Sequence, residues 1–274
     1  MTVLWIDGGL VEEAEARVSP FDHGLLTGDG VFETLRVARH RPFAVSRHLD
    51  RLAHSAAGMG LPCPPPTVVL TAMDDVIRAN GLDEGRLRVT LTGGPSQLGS
   101  DRGPAGPTLI VAGGALPAWP AATDVAIVPW PRNERGALAG IKSTSYGENV
   151  VALAHALARG AGEAIFANLV GNLCEGTGSN VFVGIGGRLV TPPLAAGCLA
   201  GVTRDLIVEL VDVIEDDLPV DALASADEAF LTSSTRDVQP IRAVDGQPLA
   251  DCPGPLTAAA ADAFRALLAG DLDP

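Results

Sequence analysis

The stretch GVFETLRVARHRPF, residues 30–43, leaves the backbone little choice. Val31, Glu33, Leu35 and Val37 alternate with Phe32, Thr34 and Arg36, the period of two that belongs to a strand and not to a helix. The basic residues Arg39–Arg41 predict a turn, with a second short strand after it. The opening VLWIDGGLV reads the same way, as two short strands around an Asp-Gly turn. Ser46 is expected to cap a helix that RHLDRLAHSAAGMG carries to a glycine stop. CPPP then breaks the chain, and a second helix is predicted over residues 68–80, ended by Gly81. Residues 86–92 and 108–112 read as strands joined by a glycine-rich loop.

Residues 116–123 hold two prolines and several alanines and are read as an interdomain linker. The expected division is an N-terminal α/β domain at 1–115, the linker at 116–123 and a C-terminal α/β domain at 124–274. In the second half, strands are predicted at 125–128, 163–167, 180–183, 188–190 and 229–231. Helices are predicted at 149–159, 203–213 and 255–268. No exact internal repeat is visible. A chain of 274 residues with 47% apolar residues can fill such cores, mostly with Ala, Val and Leu, because aromatics are only 4%.

Composition also limits the partners. A formal net charge of −14 disfavours nucleic acid and anionic membrane surfaces. Cys63, Cys174, Cys198 and Cys252 lack metal-ligand spacing and read as thiols in a reducing compartment. No leader and no apolar stretch of membrane-spanning length is read, so the cytosol is the expected location.

Five stretches carry chemistry. In GIKSTSYGENVVALAHALARG, Lys142 closes a short apolar segment ahead of a turn-like run and a helix. It is either a solvated loop lysine or an amine that forms an imine with an aldehyde. In NLCEGTGSNVFV, Glu175 is either a turn carboxylate or the partner of a protonated ring nitrogen. In RHLDRLAHSA, Arg47, Asp50, Arg51 and His54 share a helical face, which serves surface pairing or lets Arg51 bind a phosphate. In GVTRDLIVEL, Thr203 stands at a helix start, where free N–H groups and a hydroxyl form an anion site. FLTSSTRDVQPI adds a hydroxyl cluster after a strand. An amine, a ring-nitrogen carboxylate and several phosphate donors make up the inventory for pyridoxal phosphate.

On these residues the chain resembles the class IV aminotransferase family, the fold-type-IV pyridoxal-phosphate enzymes. The resemblance runs from DHGLLTGDGVFETLRV through HLDRL, IKSTSYGENVVAL, EGTGSNVF and GVTRD to TSSTRDVQPI. It implies a mixed α+β, two-domain fold like that of D-amino-acid aminotransferases, with the cofactor between the domains. It also implies a homodimer whose partner subunit completes the substrate side. By position, Lys142 matches the cofactor lysine and Glu175 the glutamate at the pyridine nitrogen. Arg51 matches the phosphate arginine, and Val202 and Thr203 match donors at a helix start. Ser234 matches a phosphate-side hydroxyl, with Thr235 beside it near substrate. Tyr146 is placed near the ring hydroxyl or the lysine.

The substrate side is less uniform. Phe32 stands where D-amino-acid aminotransferases carry a carboxylate-binding tyrosine, and Leu98 and Ser100 fill that trap's other positions. Arg88 or Arg102 is the candidate replacement for binding a carboxylate. GDGVFETLRV and KSTSY look most like the 4-amino-4-deoxychorismate lyases, which make 4-aminobenzoate and pyruvate for folate biosynthesis. Gly93 departs from that group, which often has arginine there. The alternative is an aminotransferase using branched-chain or other amino acids, or amines, with a keto-acid acceptor. A cofactor-free scaffold is a third class, against which Lys142, Glu175 and Arg51 stand together.

Overall fold

Val3–Ile6 (β1) and Gly9–Glu12 (β2) fold back on each other because Asp7 and Gly8 both take positive φ, the turn whose twist matches paired strands. Arg39 and His40 do the same without glycine, turning Gly30–Ala38 (β3) into the short Arg41–Pro42 (β4). The computed structural model describes residues 2–274, and the chain divides into two compact units.

The first unit comprises Met1–Pro117, Ile141–Tyr146 and Asp271–Pro274. Its further elements are His23–Leu26 (α1), Val45–Gly58 (α2), Pro66–Asn80 (α3), Gly85–Thr92 (β5) and Thr108–Gly114 (β6). The six strands form one antiparallel sheet in the order β2-β1-β6-β5-β3-β4. Val31, Leu35 and Val37 of β3 and Leu87, Val89 and Leu91 of β5 are buried in one cluster with Leu52, Val69, Met73 and Val76 of α2 and α3. Each such side chain stabilises the unit by about 1.5–3 kcal/mol when fully buried. The alternate residues Phe32, Thr34 and Arg88 lie on the other sheet face.

Two local expectations change. Ser46 is not the cap of α2: Ala44 precedes the helix, in a left-handed conformation without a side-chain cap. The Asp273 carboxylate does that work from the far end of the chain, accepting from the Ser46 N–H at 2.8 Å and from its hydroxyl at 2.6 Å. The face expected from Arg47, Asp50, Arg51 and His54 is also split. Asp50 and His54 are exposed, whereas His48, Leu52 and Ser55 are buried.

The second unit comprises Ala118–Gly140 and Gly147–Gly270. Its elements are Thr123–Ile127 (β7), Gly147–Leu157 (α4), Glu163–Ala167 (β8), Leu173–Gly176 (β9), Asn180–Ile185 (β10) and Arg188–Thr191 (β11). Val202–Leu210 (α5), Ile214–Glu215 (β12), Glu228–Ser233 (β13), Asp237–Val244 (β14), Gln247–Pro248 (β15) and Pro255–Gly270 (α6) follow. The sheet is mixed, in the order β12-β11-β10-β13-β14-β7-β8-β9, with β15 on β14. Alanines make close helix packing possible: Ala152 and Ala156 of α4 are buried with Ala126, Ala164 and Phe166. Phe182 and Phe230, directly opposite on β10 and β13, stack with centroids 4.8 Å apart. No helix among the described residues is long and apolar enough to cross a membrane.

The lysine segment belongs to the first unit, not to the residues that follow the linker. Backbone pairing is the reason. The Phe32 N–H donates to the Lys142 carbonyl at 3.0 Å, and the Thr144 N–H donates to the Gly30 carbonyl at 2.8 Å. Val31 and Ser143 form a β-bridge, so residues 142–144 run as a short extra strand along the start of β3.

Candidate active site

The first unit gathers Lys142, Phe32, Arg88 and Tyr146. Besides its carbonyl bond to Phe32, Lys142 donates its N–H to the Ser55 hydroxyl of α2 at 3.2 Å, so its backbone is held from two elements. Its Nζ lies 4.5 Å from the Phe32 ring centroid. The guanidinium of Arg88 sits 3.7 Å from the same centroid, and the Tyr146 ring meets Phe32 edge-on at 5.2 Å. Arg88 is exposed, on the sheet face away from the helical core. Phe32 is 4% exposed, so one amine and one guanidinium both approach a single buried apolar ring. Lys142 is the only lysine of the chain and Tyr146 the only tyrosine.

Arg102 does not join this group. Its Nε and Nη2 form a bidentate pair with Asp29, and Nη1 and Nη2 also donate to the carbonyls of Gly60 and Met59. That clamp holds the Asp29 carboxyl below the usual range, chiefly through the Arg102 hydrogen bonds, against the opposing effect of burial. Arg51 also has a carboxylate partner. Its Nε and Nη2 donate to the two oxygens of Glu33 at 2.8 and 2.7 Å, and His48 Nδ1 reaches Glu33 Oε2 at 2.7 Å. Because an ionised carboxylate only accepts, Nδ1 of His48 carries the proton.

Burial by itself would raise the Glu33 carboxyl. The Arg51 charge and hydrogen bonds, with the His48 hydrogen bond, outweigh it and bring the group down to about 2. Burial lowers His48, which therefore stays neutral more readily than an exposed imidazole. Sequence reasoning misses Glu33, although a signal for it exists. Its phase in β3 is that of Val31, Leu35 and Val37, and a charge on a buried face requires a partner.

The second unit holds the remaining predicted residues. Glu175 lies on β9, paired opposite Phe166 of β8. Its Oε2 accepts the Leu199 N–H at 2.9 Å, and Oε1 lies 3.3 Å from Arg132 Nε. Arg132, which no sequence pattern marks, lies over the Phe166 ring and also bonds Asn149. The Leu199 carbonyl is held by Asn180 Nδ2 at 2.9 Å. Two residues on, Gly201 opens α5, and a Cβ there would come 2.0 Å from Asn180 Oδ1. One short segment thus orients Glu175 and starts the helix of Val202 and Thr203, both buried.

Among the described residues no side chain caps α5 at Gly201, and the first-turn N–H groups of a helix are suited to an anion. Ser234 and Thr235 lie in the turn between β13 and β14. Arg236 in that turn donates to buried Glu163, which also accepts from Thr177 and Ser179. A lone lysine amine in the first unit, and in the second an oriented carboxylate and a helix start with a hydroxyl, are the kinds of donor that an aldehyde cofactor with a phosphate tail requires. Buried Cys174 and Cys198 are thiols whose ionisation burial opposes; Cys198 is pushed up to about 12.

The family model for amino-transferase class IV matches residues 30–244. A putative branched-chain-amino-acid aminotransferase of Methanocaldococcus jannaschii is 33% identical over 258 residues, covering 89% of this chain and 88% of the relative. The aminodeoxychorismate lyase of Bacillus subtilis is 30% identical over 258 residues, covering 89% of this chain and 87% of the relative. Among solved structures, the branched-chain aminotransferase of the thermophilic archaeon Thermoproteus uzoniensis, with norvaline, superposes with a TM-score of 0.90 at 30% identity, covering 98% of this chain and 95% of that one.

Proposed function

The chain belongs to the class IV aminotransferase family of pyridoxal-phosphate enzymes, and on that premise we propose that it transfers the amino group of an apolar, branched-chain-like amino acid to a keto acid. The observation that carries this reading is the arrangement of Lys142 and Arg88 about one buried ring. A transaminase must accept two different side chains in turn. Phe32 offers an apolar surface to one, and Arg88 offers a guanidinium to the carboxylate of the other. The number of branched-chain aminotransferases among the relatives supports the same choice over the lyase expected from GDGVFETLRV and KSTSY.

When bound, pyridoxal phosphate supplies an aldehyde for the substrate amine and a ring that takes up electrons as the α-proton leaves. Lys142 would hold the cofactor and, once released, carry that proton on Nζ. Glu175 would keep a proton on the ring nitrogen. Arg51, Val202, Thr203 and Ser234 would bind the phosphate, with Thr235 near substrate and Tyr146 near the lysine. Of the two arginines, Arg88 is the better carboxylate ligand, because Arg102 is engaged by Asp29 and two carbonyls. We also infer a homodimer, supported by the exposed Phe21, Leu25 and Leu26 in and beside α1.

A second reading, 4-amino-4-deoxychorismate lyase, is supported by the similarity to the Bacillus subtilis enzyme. One assay separates them. The holoenzyme is given leucine, isoleucine, valine and D-amino acids with 2-oxoglutarate, and separately aminodeoxychorismate without acceptor. Turnover of a branched-chain donor that requires the keto acid is expected. Formation of 4-aminobenzoate and pyruvate without such turnover would replace the transaminase by the lyase. Borohydride reduction checks attachment in the same preparation, with Lys142 as the sole lysine able to carry the adduct.

A further inference from the structure

We propose that Glu33 is the positioning residue for Arg51, fixing the arginine that binds the cofactor phosphate; this rests on the reading of Arg51 just given. The Glu33 carboxylate takes the Nε–Nη2 edge of the guanidinium through both of its oxygens, at 2.8 and 2.7 Å. Such two-point pairing sets the plane of the fork as well as its position. It also sets which edge is turned elsewhere: Nη1 makes neither bond. Glu33 itself cannot shift readily. It is 1% exposed, its strand pairs with β5 from Gly30 to Val37, and His48 Nδ1 holds the oxygen shared with Nη2.

The same strand and helix also locate the lysine. Phe32, the neighbour of Glu33, donates its N–H to the Lys142 carbonyl, and Ser55, one helical turn beyond Arg51, accepts the Lys142 N–H. Glu33 therefore ties the arginine to the seam on which the amine is registered. Loss of the carboxylate removes the two-point restraint on the plane of the fork, and that ordering is then required when the phosphate arrives. The phosphate end of the cofactor should feel this change and the aldehyde end should not.

The test titrates apoprotein with pyridoxal phosphate and, separately, with pyridoxal, which lacks the phosphate. Parent, Glu33→Gln, Glu33→Asp and Arg51→Ala are compared, each checked for fold by near-ultraviolet circular dichroism. Glu33→Gln is expected to weaken pyridoxal phosphate at least tenfold, leave pyridoxal within twofold, and be partly restored in Glu33→Asp. If Glu33→Gln does not fold, Glu33→Asp carries the test, with at least a threefold loss for pyridoxal phosphate alone. Equal losses for both ligands, or parental affinity in the Glu33 variants when Arg51→Ala has lost binding, would overturn the positioning role. Parental affinity in Arg51→Ala would instead remove Arg51 from the phosphate site, and the proposal with it.

Discussion

At the scale of single residues, Glu175 gives the sharper test of the cofactor reading. Its two oxygens face different partners, the Leu199 N–H and Arg132. Glu175→Gln keeps an oxygen for Leu199 and removes the charge. The variant should therefore bind pyridoxal phosphate and lose about a hundredfold or more in turnover, as expected when a charge facing a developing transition-state charge is removed. Stopped-flow absorbance of the first half-reaction measures this, and a rate within about twofold of the parent would defeat the ring-nitrogen role. Phe32 is legible at this scale too. Its position in the alternation sets it opposite the core face, which is why an apolar ring is left within reach of both Lys142 and Arg88.

At the scale of elements, α2 and β3 are joined by polar groups inside an otherwise apolar layer. Both Glu33 and His48 titrate lower in the folded chain than their ordinary values of 4.5 and 6.5. Their stabilisation is therefore complete above pH 6.5. It declines as pH falls, first through His48 and then below 4.5 through Glu33, whose own value is about 2. In calorimetric melts, the parent should exceed a Glu33→Gln/His48→Gln double variant by the most at pH 7–8. The gap should narrow steadily toward pH 4. A gap that stays constant over this range would mean that the pair is not ionised as described.

At the scale of the whole molecule, the exposed apolar residues and the charge of −14 pull in opposite directions. Net charge resists association, so an apolar surface must overcome it for a dimer to persist. Leu25 is 69% exposed and makes the cleanest probe. Leu25→Glu should weaken self-association at least tenfold in sedimentation velocity and leave the far-ultraviolet spectrum unchanged. Raising salt should strengthen the parent's association by screening the like charges. A parent that sediments as a monomer at micromolar concentration would remove the dimer.

The sequence by itself determined most of the local structure. Alternation in residues 30–38, the Asp-Gly turn, the prolines ahead of α3 and Gly81 behind it each act within a few residues, and the strands and helices they imply are present. The motifs also bring out Lys142, Glu175 and Arg51 as a chemical set. Where short-range signals conflict, the tertiary structure decided. FLTSSTRDVQPI reads as a hydroxyl cluster after a strand, yet its second half, opening at left-handed Asp237 and containing Pro240, is β14, which lies between β13 and β7 and is held by neighbours on both sides. Ser46 looks like a cap, and a carboxylate 227 residues away supplies the acceptor. Chain order sets Lys142 after the linker, but pairing with β3 joins it to the first unit. Arg88 and Arg102 are equal candidates in the sequence. Only folding brings Asp29 to Arg102 and Phe32 to Arg88, because hydrogen bonds and ring contacts between distant residues leave no trace in local pattern.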